Sequence, residues 1–526
     1  MKDLFKRDAL TGAVNPWLIA PTVMLATFME VLDTSIANVS LNHIAGGLSA
    51  TVEESTWVLT SYLVSNAIVL PLTGWFSTLF GRKRFYMFCV TLFTVSSLLC
   101  GLAPSLGMLV FFRVLQGAGG GGLQPISQAI LVESFPKHKQ GMAQAVYAMG
   151  VVVAPIIGPT LGGWITDNYS WRWIFLINIP VGLLSVALTT LLINDPPYLI
   201  RKKLSQIRID YIGLGLLSVG LGFMQVLLDK GQTDDWFGSP FIVWCAVLAV
   251  AGIVGTIVWE WRAKEPIVDL HLLTERNFML STLTMFLLGV VLYGTTVLLP
   301  IFLQTLLGYD ATTSGLVLSP GGVALLVLLP GIGWLISKVE ARFLVMVGSG
   351  IVAGSLFYMA NFNLNVDFWT PTMARVYQSI GLAFLFVPIN VMAFHFIKRE
   401  KVNNATGLLN LARNMGGSVG ISSVTTLLSR RTQVHQARLA EHVTQFSWQA
   451  RQLLSGAAAA FTGGGSNPTQ AGAQAHGVLY FMVQRQAAML AFVDDFWLLG
   501  GLFLLLIPIM FLMKKMRPQR AAIAAH

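Results

Sequence analysis

Residues 17–39 read WLIAPTVMLATFMEVLDTSIANV, and this stretch decides how the rest of the chain is understood. It is long enough to cross ~30 Å of hydrocarbon as a helix, which takes about 20 residues. It is too long for the apolar core of a secretory signal, and it ends without a small-residue cleavage pattern. It also carries two acids, Glu30 and Asp33, deep in an otherwise apolar run. It therefore reads as a first membrane-spanning helix that stays in the mature chain, with charges that need a reason to be there.

The remainder repeats the pattern. Of 526 residues, 55% are hydrophobic and only 11% charged, against roughly 25% charged in soluble domains. The mean hydropathy is +0.68. The apolar runs are continuous rather than alternating, so helices, not a barrel, satisfy the backbone in lipid. Fourteen spans are expected, near 17–39, 55–76, 85–103, 108–134, 142–165, 173–193, 211–228, 240–259, 278–302, 314–336, 343–359, 372–395, 405–428 and 496–513. The three cysteines, Cys89, Cys100 and Cys245, all fall inside spans and form no disulfide framework.

The net charge of +10 could suggest nucleic acid, but its placement argues for membrane topology. With the N-terminus in the cytoplasm, 24 of the 34 Lys and Arg fall on the cytoplasmic side, and seven outside. Five of those seven sit in one long loop, where the positive-inside rule is weak. The other three, Arg113, Arg375 and Arg413, lie within spans. Both termini are thus expected in the cytoplasm.

The chain also echoes itself at an offset near 260. Leu70-Pro71-Leu72-Thr73-Gly74-Trp75 recurs as Leu329-Pro330-Gly331-Ile332-Gly333-Trp334, and Arg113-Val114-Leu115-Gln116 as Arg375-Val376-Tyr377-Gln378. Duplicated halves around a central site are the architecture of secondary transporters. The organisation expected is an all-α membrane protein: a cytoplasmic tail (1–16), a six-helix half (17–193), an inserted helix pair with its loops (194–277), a second six-helix half (278–513), and a second cytoplasmic tail (514–526). An outer extension at 429–495 belongs to the second half. Within it, Gly456 to Gly477 is rich in Ala and Gly and reads as a flexible stretch.

Several motifs together give the chain a family resemblance along nearly its whole length. They are Leu32-Asp33-Thr34 with Asn38-Val39, Gly74-Trp75-Phe76 through Gly81-Arg82-Lys83-Arg84, and Arg113-Val114-Leu115-Gln116-Gly117-Ala118-Gly119. Pro155-Ile156-Ile157-Gly158-Pro159-Thr160-Leu161-Gly162-Gly163, Trp171 to Phe175 with Asn178 to Gly182, and Leu299-Pro300 with Gln304 and Gly308-Tyr309 complete the set. The chain resembles the fourteen-helix drug:proton antiporter branch of the major facilitator superfamily, most of all its EmrB-type members. Thr78 stands where the family often has Asp, and Ala154 where it usually has Gly. The resemblance implies a multidrug exporter of the inner membrane driven by the proton gradient. It further implies that the 429–495 extension meets a periplasmic adaptor leading to an outer-membrane channel. A self-contained flap over the transport mouth is the other reading of that extension.

The candidate chemistry follows from the charges. An acid near the middle of a span costs roughly 2.5–3.5 kcal/mol on insertion scales, so it faces a partner or a wet cavity. Asp33 and Glu30, three apart, share a helix face and are the expected proton-coupling groups. Arg113, at similar depth, would tune them, or the Asp33–Arg113 pair would simply brace two helices. One proton crossing at 100 mV releases ~2.3 kcal/mol, which sustains about a forty-fold gradient. No cofactor is expected. No Gly-Lys dipeptide occurs, so no Walker A nucleotide site is possible.

Gly158, Pro159, Gly162 and Gly163 are expected to permit close, kinked packing that gates the cavity, or ordinary small-residue packing. Gly74, Gly81 and Arg82, with Glu133 as its partner, are expected to latch the cytoplasmic side. Phe28, Trp57, Tyr62, Gln128, Tyr293 and Asn390 are candidate substrate contacts by helix position. Plain packing explains any one of them equally well. The substrates implied are small hydrophobic organic compounds. A dedicated exporter of one metabolite, fatty acid or siderophore shares every feature above. No metal site and no nucleic-acid partner are expected.

Overall fold

The computed structural model describes residues 15–136, 139–195, 210–263, 266–444 and 446–515. The tails at 1–14 and 516–526 and most of the loop after residue 195 lie outside the described residues, including the basic clusters counted there. The described chain is helical throughout, with no strand.

The first half comprises α1 (Pro16–Val39), two short helices α2 (Leu41–Gly47) and α3 (Val52–Ser55), α4 (Trp57–Phe80), α5 (Arg82–Gly101), α6 (Leu106–Ser134), α7 (Gln140–Asn168), α8 (Trp173–Leu176) and α9 (Asn178–Leu192). The inserted pair is α10 (Tyr211–Lys230) and α11 (Pro240–Arg262). The second half is α12 (Arg276–Thr305), α13 (Ala311–Leu335), α14 (Ala341–Met359), α15 (Trp369–Phe394), α16 (Val402–Glu441), α17 (Trp448–Gly463), α18 (Pro468–Leu504) and α19 (Leu506–Phe511).

Helix starts follow local chemistry. The Asn15 side chain accepts from the Trp17 amide ahead of Pro16 at the first turn, and Ser105 caps α6 through Met108 N. Asp310 accepts from Thr313 at the start of α13, and these bonds hold its carboxyl below the usual range.

Twelve described helices are long and apolar enough to cross a bilayer. A thirteenth forms if α7 is taken as one span: it bends by 41° at Pro155, where the proline removes a backbone donor. The span expected at 405–428 is helical as part of α16, but Asn410, Arg413 and Asn414 make it polar, and it is not among those twelve. The stretch expected to be flexible, Gly456 to Gly477, is instead largely helical, in α17 and the start of α18, with a turn between them at Gly465 (φ +96°). Its many alanines explain this, since alanine is the strongest helix former.

The two halves meet along two seams. At one, α4 lies against α16: a Cβ on Gly74 would sit 2.7 Å from the Asn404 amide carbon and 3.0 Å from its Cα. At the other, α7 lies against α13, with Gly141 and Gly333 in backbone contact at one end and Thr160 against Gly315 at the other. Within the first half, Gly119 of α6 packs on the backbone of α5, and a Cβ there would meet Phe93 N at 2.7 Å and Cys89 O at 2.9 Å. Absence of a side chain is what lets these helices approach so closely.

Overpacking against fixed backbone costs about 1–3 kcal/mol or more. Gly119→Val is therefore expected to lower the thermal unfolding midpoint of purified protein. Gly163→Ala, where nothing lies within 4 Å of the added Cβ, is expected to leave it unchanged. Light-scattering melts of the two variants check the contrast.

Candidate functional site

Asp33 lies on the buried face of α1 and is 2% exposed. Arg113 Nη1 donates to its Oδ2 at 2.5 Å. Its Oδ1 accepts from Gln116 Nε2 at 2.9 Å and from Asn178 Nδ2 at 2.7 Å. The same two amides also donate to Ser97, which donates onward to Phe175 O. Arg113 is held in turn: Nε donates to Val58 O at 3.0 Å, Nη1 donates to Gln116 Oε1 at 2.8 Å, and its guanidinium stacks 4.3 Å above the Tyr62 ring. Four helices, α1, α4, α6 and α9, thus converge on one ion pair that water does not reach.

Glu30, one turn along α1, has different company. Its Oε1 accepts from Tyr62 Oη at 3.1 Å and Asn66 Nδ2 at 3.2 Å, and its Oε2 from Gln124 Nε2. All three donors are neutral. The Gln124 amide oxygen accepts from Arg413 Nη2, which comes from α16 in the other half. Asp33 is thus bonded wholly within one half, whereas Glu30 sits one amide away from a cation of the other. Tyr62 connects the two acids, bonding one and lying under the arginine that bonds the other.

Further along the seam a third polar layer joins the halves. Gln128 donates to Asn390 Oδ1 and accepts from Asn410 Nδ2 at 2.7 Å, and Gln144 and Tyr147 complete the cluster. Gln128 and Asn390 are 262 residues apart, the same offset as Arg113 to Arg375 and Gln116 to Gln378. Repeat-related side chains therefore touch each other where the halves meet.

At the basic end of the bundle Arg82 forms a two-pronged ion pair with Glu133, Nη2 to Oε1 at 2.9 Å. Gly81, with φ +84°, turns the chain into α5 there, a conformation glycine adopts at no cost. Lys83 bonds the far end of α9, with its amide on Asp195 and its ammonium on Thr190 O. Of the glycines expected to gate, Gly158 faces Ser35 and Gly162 faces Ile36, both on α1. Pro159 sits between them in α7, and a Cβ on Gly163 would meet nothing.

Four of the six expected substrate contacts fall in the polar layers between the halves, and two lie apart. Tyr62 belongs to the Glu30 cluster, and Gln128 and Asn390 to the seam. Tyr293 lies against Gly417 and beside the Arg413 side chain of the Glu30 cluster. Phe28 packs on a separate apolar cluster, and Trp57 lies near the Lys230 ammonium. None of them lines the small apolar cavity among α7, α12, α13 and α15, whose walls are Val152, Leu288, Leu292, Leu325, Leu329, Leu382 and Phe386. His435 and His442 find separate partners, Asp494 and the Arg438 carbonyl.

Asn66, Gln124, Asn178 and Arg413 were not assigned roles from the sequence. The usable signal was their polarity inside apolar runs, which marks buried hydrogen-bonding groups without telling which acid they serve.

Two packed helical halves around buried charge define a multi-pass membrane transporter. The chain belongs to the Major Facilitator Superfamily, whose family model matches residues 23–421, and within it groups with the EmrB-type proteins. It is 37% identical to the multidrug export protein EmrB of Escherichia coli K12 over 93% of this chain and 94% of that one. It is 38% identical to the fatty acid resistance protein FarB of Neisseria gonorrhoeae, over 96% and 97% of the two chains. A crystal structure of a double-tryptophan XylE mutant shares the fold, with TM-score 0.62 at 13% identity, covering 96% of this chain and 97% of that one.

Removing one partner of a buried ion pair leaves an uncompensated charge and costs about 3–5 kcal/mol. Arg113→Gln is expected to destabilise the protein by that order. The double variant Asp33→Asn with Arg113→Gln is expected to recover most of the loss, as read by the thermal midpoint in detergent.

Proposed function

We propose that this protein is a proton-coupled antiporter of the inner membrane that exports small hydrophobic organic compounds, drugs and toxic amphiphiles among them. The observation that carries this reading is Glu30, a buried acid held by neutral donors at the junction of the two halves, with Arg413 behind Gln124. When the halves part, the Gln124–Arg413 bond breaks along with the Gln128–Asn390 and Gln128–Asn410 bonds. Glu30 then loses the nearby cation and gains water, two changes that bear on its protonation in opposite directions and tie it to the opening. Proton affinity thereby depends on which side is open, which is what antiport requires. Asp33 and Arg113 form the fixed half of the device, and Tyr62 transmits the charge of one acid to the other.

The basic end carrying Arg82 is assigned to the cytoplasm, with both termini on that side. Arg82–Glu133, Gly74 and Gly81 then latch the inner face, and Gly158, Pro159 and Gly162 let α7 move against α1. The helical extension of α16, α17 and α18 exposes Trp448, Tyr480 and Phe481. In this reading it docks a periplasmic adaptor that leads to an outer-membrane channel. The likeness to the fatty acid resistance protein FarB favours a second reading, a fatty-acid exporter, with the same fold and coupling.

In energised inverted vesicles, Glu30→Gln and Asp33→Asn are each expected to cut proton-driven dye transport at least about a hundredfold, the loss of a group essential to coupling. An uncoupler is expected to abolish the wild-type signal. Undiminished transport in both variants at normal expression contradicts the assignment.

A further inference from the structure

The internal repeat places a second arginine in the frame that Arg113 occupies, but without its acid. At the common offset of 262, Arg113 corresponds to Arg375, Gln116 to Gln378, and Asp33 to Thr295. The hydrogen bonds correspond as well. Gln116 donates to Asp33 at 2.9 Å, and Gln378 donates to Thr295 Oγ1 at 3.0 Å. Arg113 donates to Gln116 Oε1 at 2.8 Å, and Arg375 to Gln378 Oε1 at 2.6 Å. The carboxylate is missing, and so is the carbonyl that the arginine Nε bonds in the first half.

Arg375 is therefore a cation 3% exposed, with no acid in ion-pair range among the described residues and its Nε without a partner. Asp495, buried in α18, makes no ion pair with it. A buried cation with no counter-charge costs several kcal/mol, and it persists where something else supplies the anion.

The surroundings say what kind of anion. Leu382 and Phe386 follow Arg375 and Gln378 on one face of α15, at steps of three to four residues. Leu292 and Leu288 follow Thr295 on one face of α12 in the same way. On α13, Gly321 lies against Arg375, where a Cβ would meet its Cγ at 2.9 Å, and Leu325 and Leu329 follow on that face. These leucines and Phe386 are the walls of the apolar cavity, closed by Val152 from the other half. A polar head and an apolar slot thus run in line along three helices. The cavity now has room for roughly one water, so a ligand enters it as the halves separate.

We propose that Arg375, with Gln378 and Thr295, is the head-group site for a carboxylate-bearing amphiphile, whose carboxylate takes the place that Asp33 holds in the other half and whose tail fills the leucine-lined slot. The unpartnered Nε of Arg375 is the donor that Arg113 spends on the Val58 carbonyl rather than on Asp33, so it is left here for a carboxylate oxygen. This rests on the export reading above but names the substrate class and its site.

The test is equilibrium binding of dodecanoate and of 1-dodecanol to the purified full chain in nanodiscs, with empty nanodiscs subtracted. No proton gradient is present, so a failure of coupling leaves this readout intact. Wild type is expected to bind the acid at least about tenfold more tightly than the alcohol, the scale of one charge-assisted hydrogen bond. Arg375→Gln is expected to bring the ratio to about one. Thr295→Asp supplies the missing carboxylate internally and is expected to do the same without removing the arginine. Equal binding of acid and alcohol by wild type, or a ratio unchanged in both variants, overturns the proposal.

Discussion

The Asp33–Arg113 ion pair sets the terms for the first half of the molecule. Charge buried in an apolar bundle needs hydrogen-bonding partners, and breaking such a pair leaves an uncompensated charge. Gln116, Asn178, Ser97 and the Val58 carbonyl supply most of them, with Arg113 Nη2 left without a partner. Doing so fixes the positions of α1, α4, α6 and α9 relative to one another. The close glycine contacts of α6 with α4 and α5 are the steric side of the same constraint, since these helices must approach closely to bring their polar groups together.

The two halves share a frame and differ in charge. The first keeps its cation neutralised by Asp33. The second keeps the arginine and glutamine but has Thr295 in place of the acid, and its other buried cation, Arg413, reaches across the seam towards Glu30. Symmetric helices with asymmetric charge give a bundle that can rock about its middle while each half has a separate task. One half holds the acids proposed to couple, and the other holds the buried cations Arg375 and Arg413.

Much of this was legible in the residues themselves. Glu30 and Asp33 stood out because acid in a 23-residue apolar run has few explanations, and the recurrence of Arg113-x-x-Gln116 as Arg375-x-x-Gln378 exposed the repeat. The pairing of Arg82 with Glu133 followed from Thr78 standing where an acid is usual. What the sequence hid was contact across long separations. Nothing in a linear reading says that Gln124 bridges Glu30 to Arg413, 289 residues further on, or that Gln128 meets its own repeat mate Asn390. The Ala/Gly-rich 456–477 stretch was misjudged because glycine content was weighed above the alanines around it. The polar α16 segment shows the converse: a helix buried among α4, α12 and α18 can carry amides and an arginine that lower its hydropathy.

The central claim is that movement of substrate in one direction obliges a proton to move in the other through the acids of α1. Proteoliposomes containing the purified chain, loaded with an exported dye and with no initial pH difference, test it most directly. As dye leaves through molecules facing in the export direction, a lumenal pH probe is predicted to report acidification, and none with Glu30→Gln and Asp33→Asn combined. Protein-dependent dye exit with no change in lumenal pH would contradict the account.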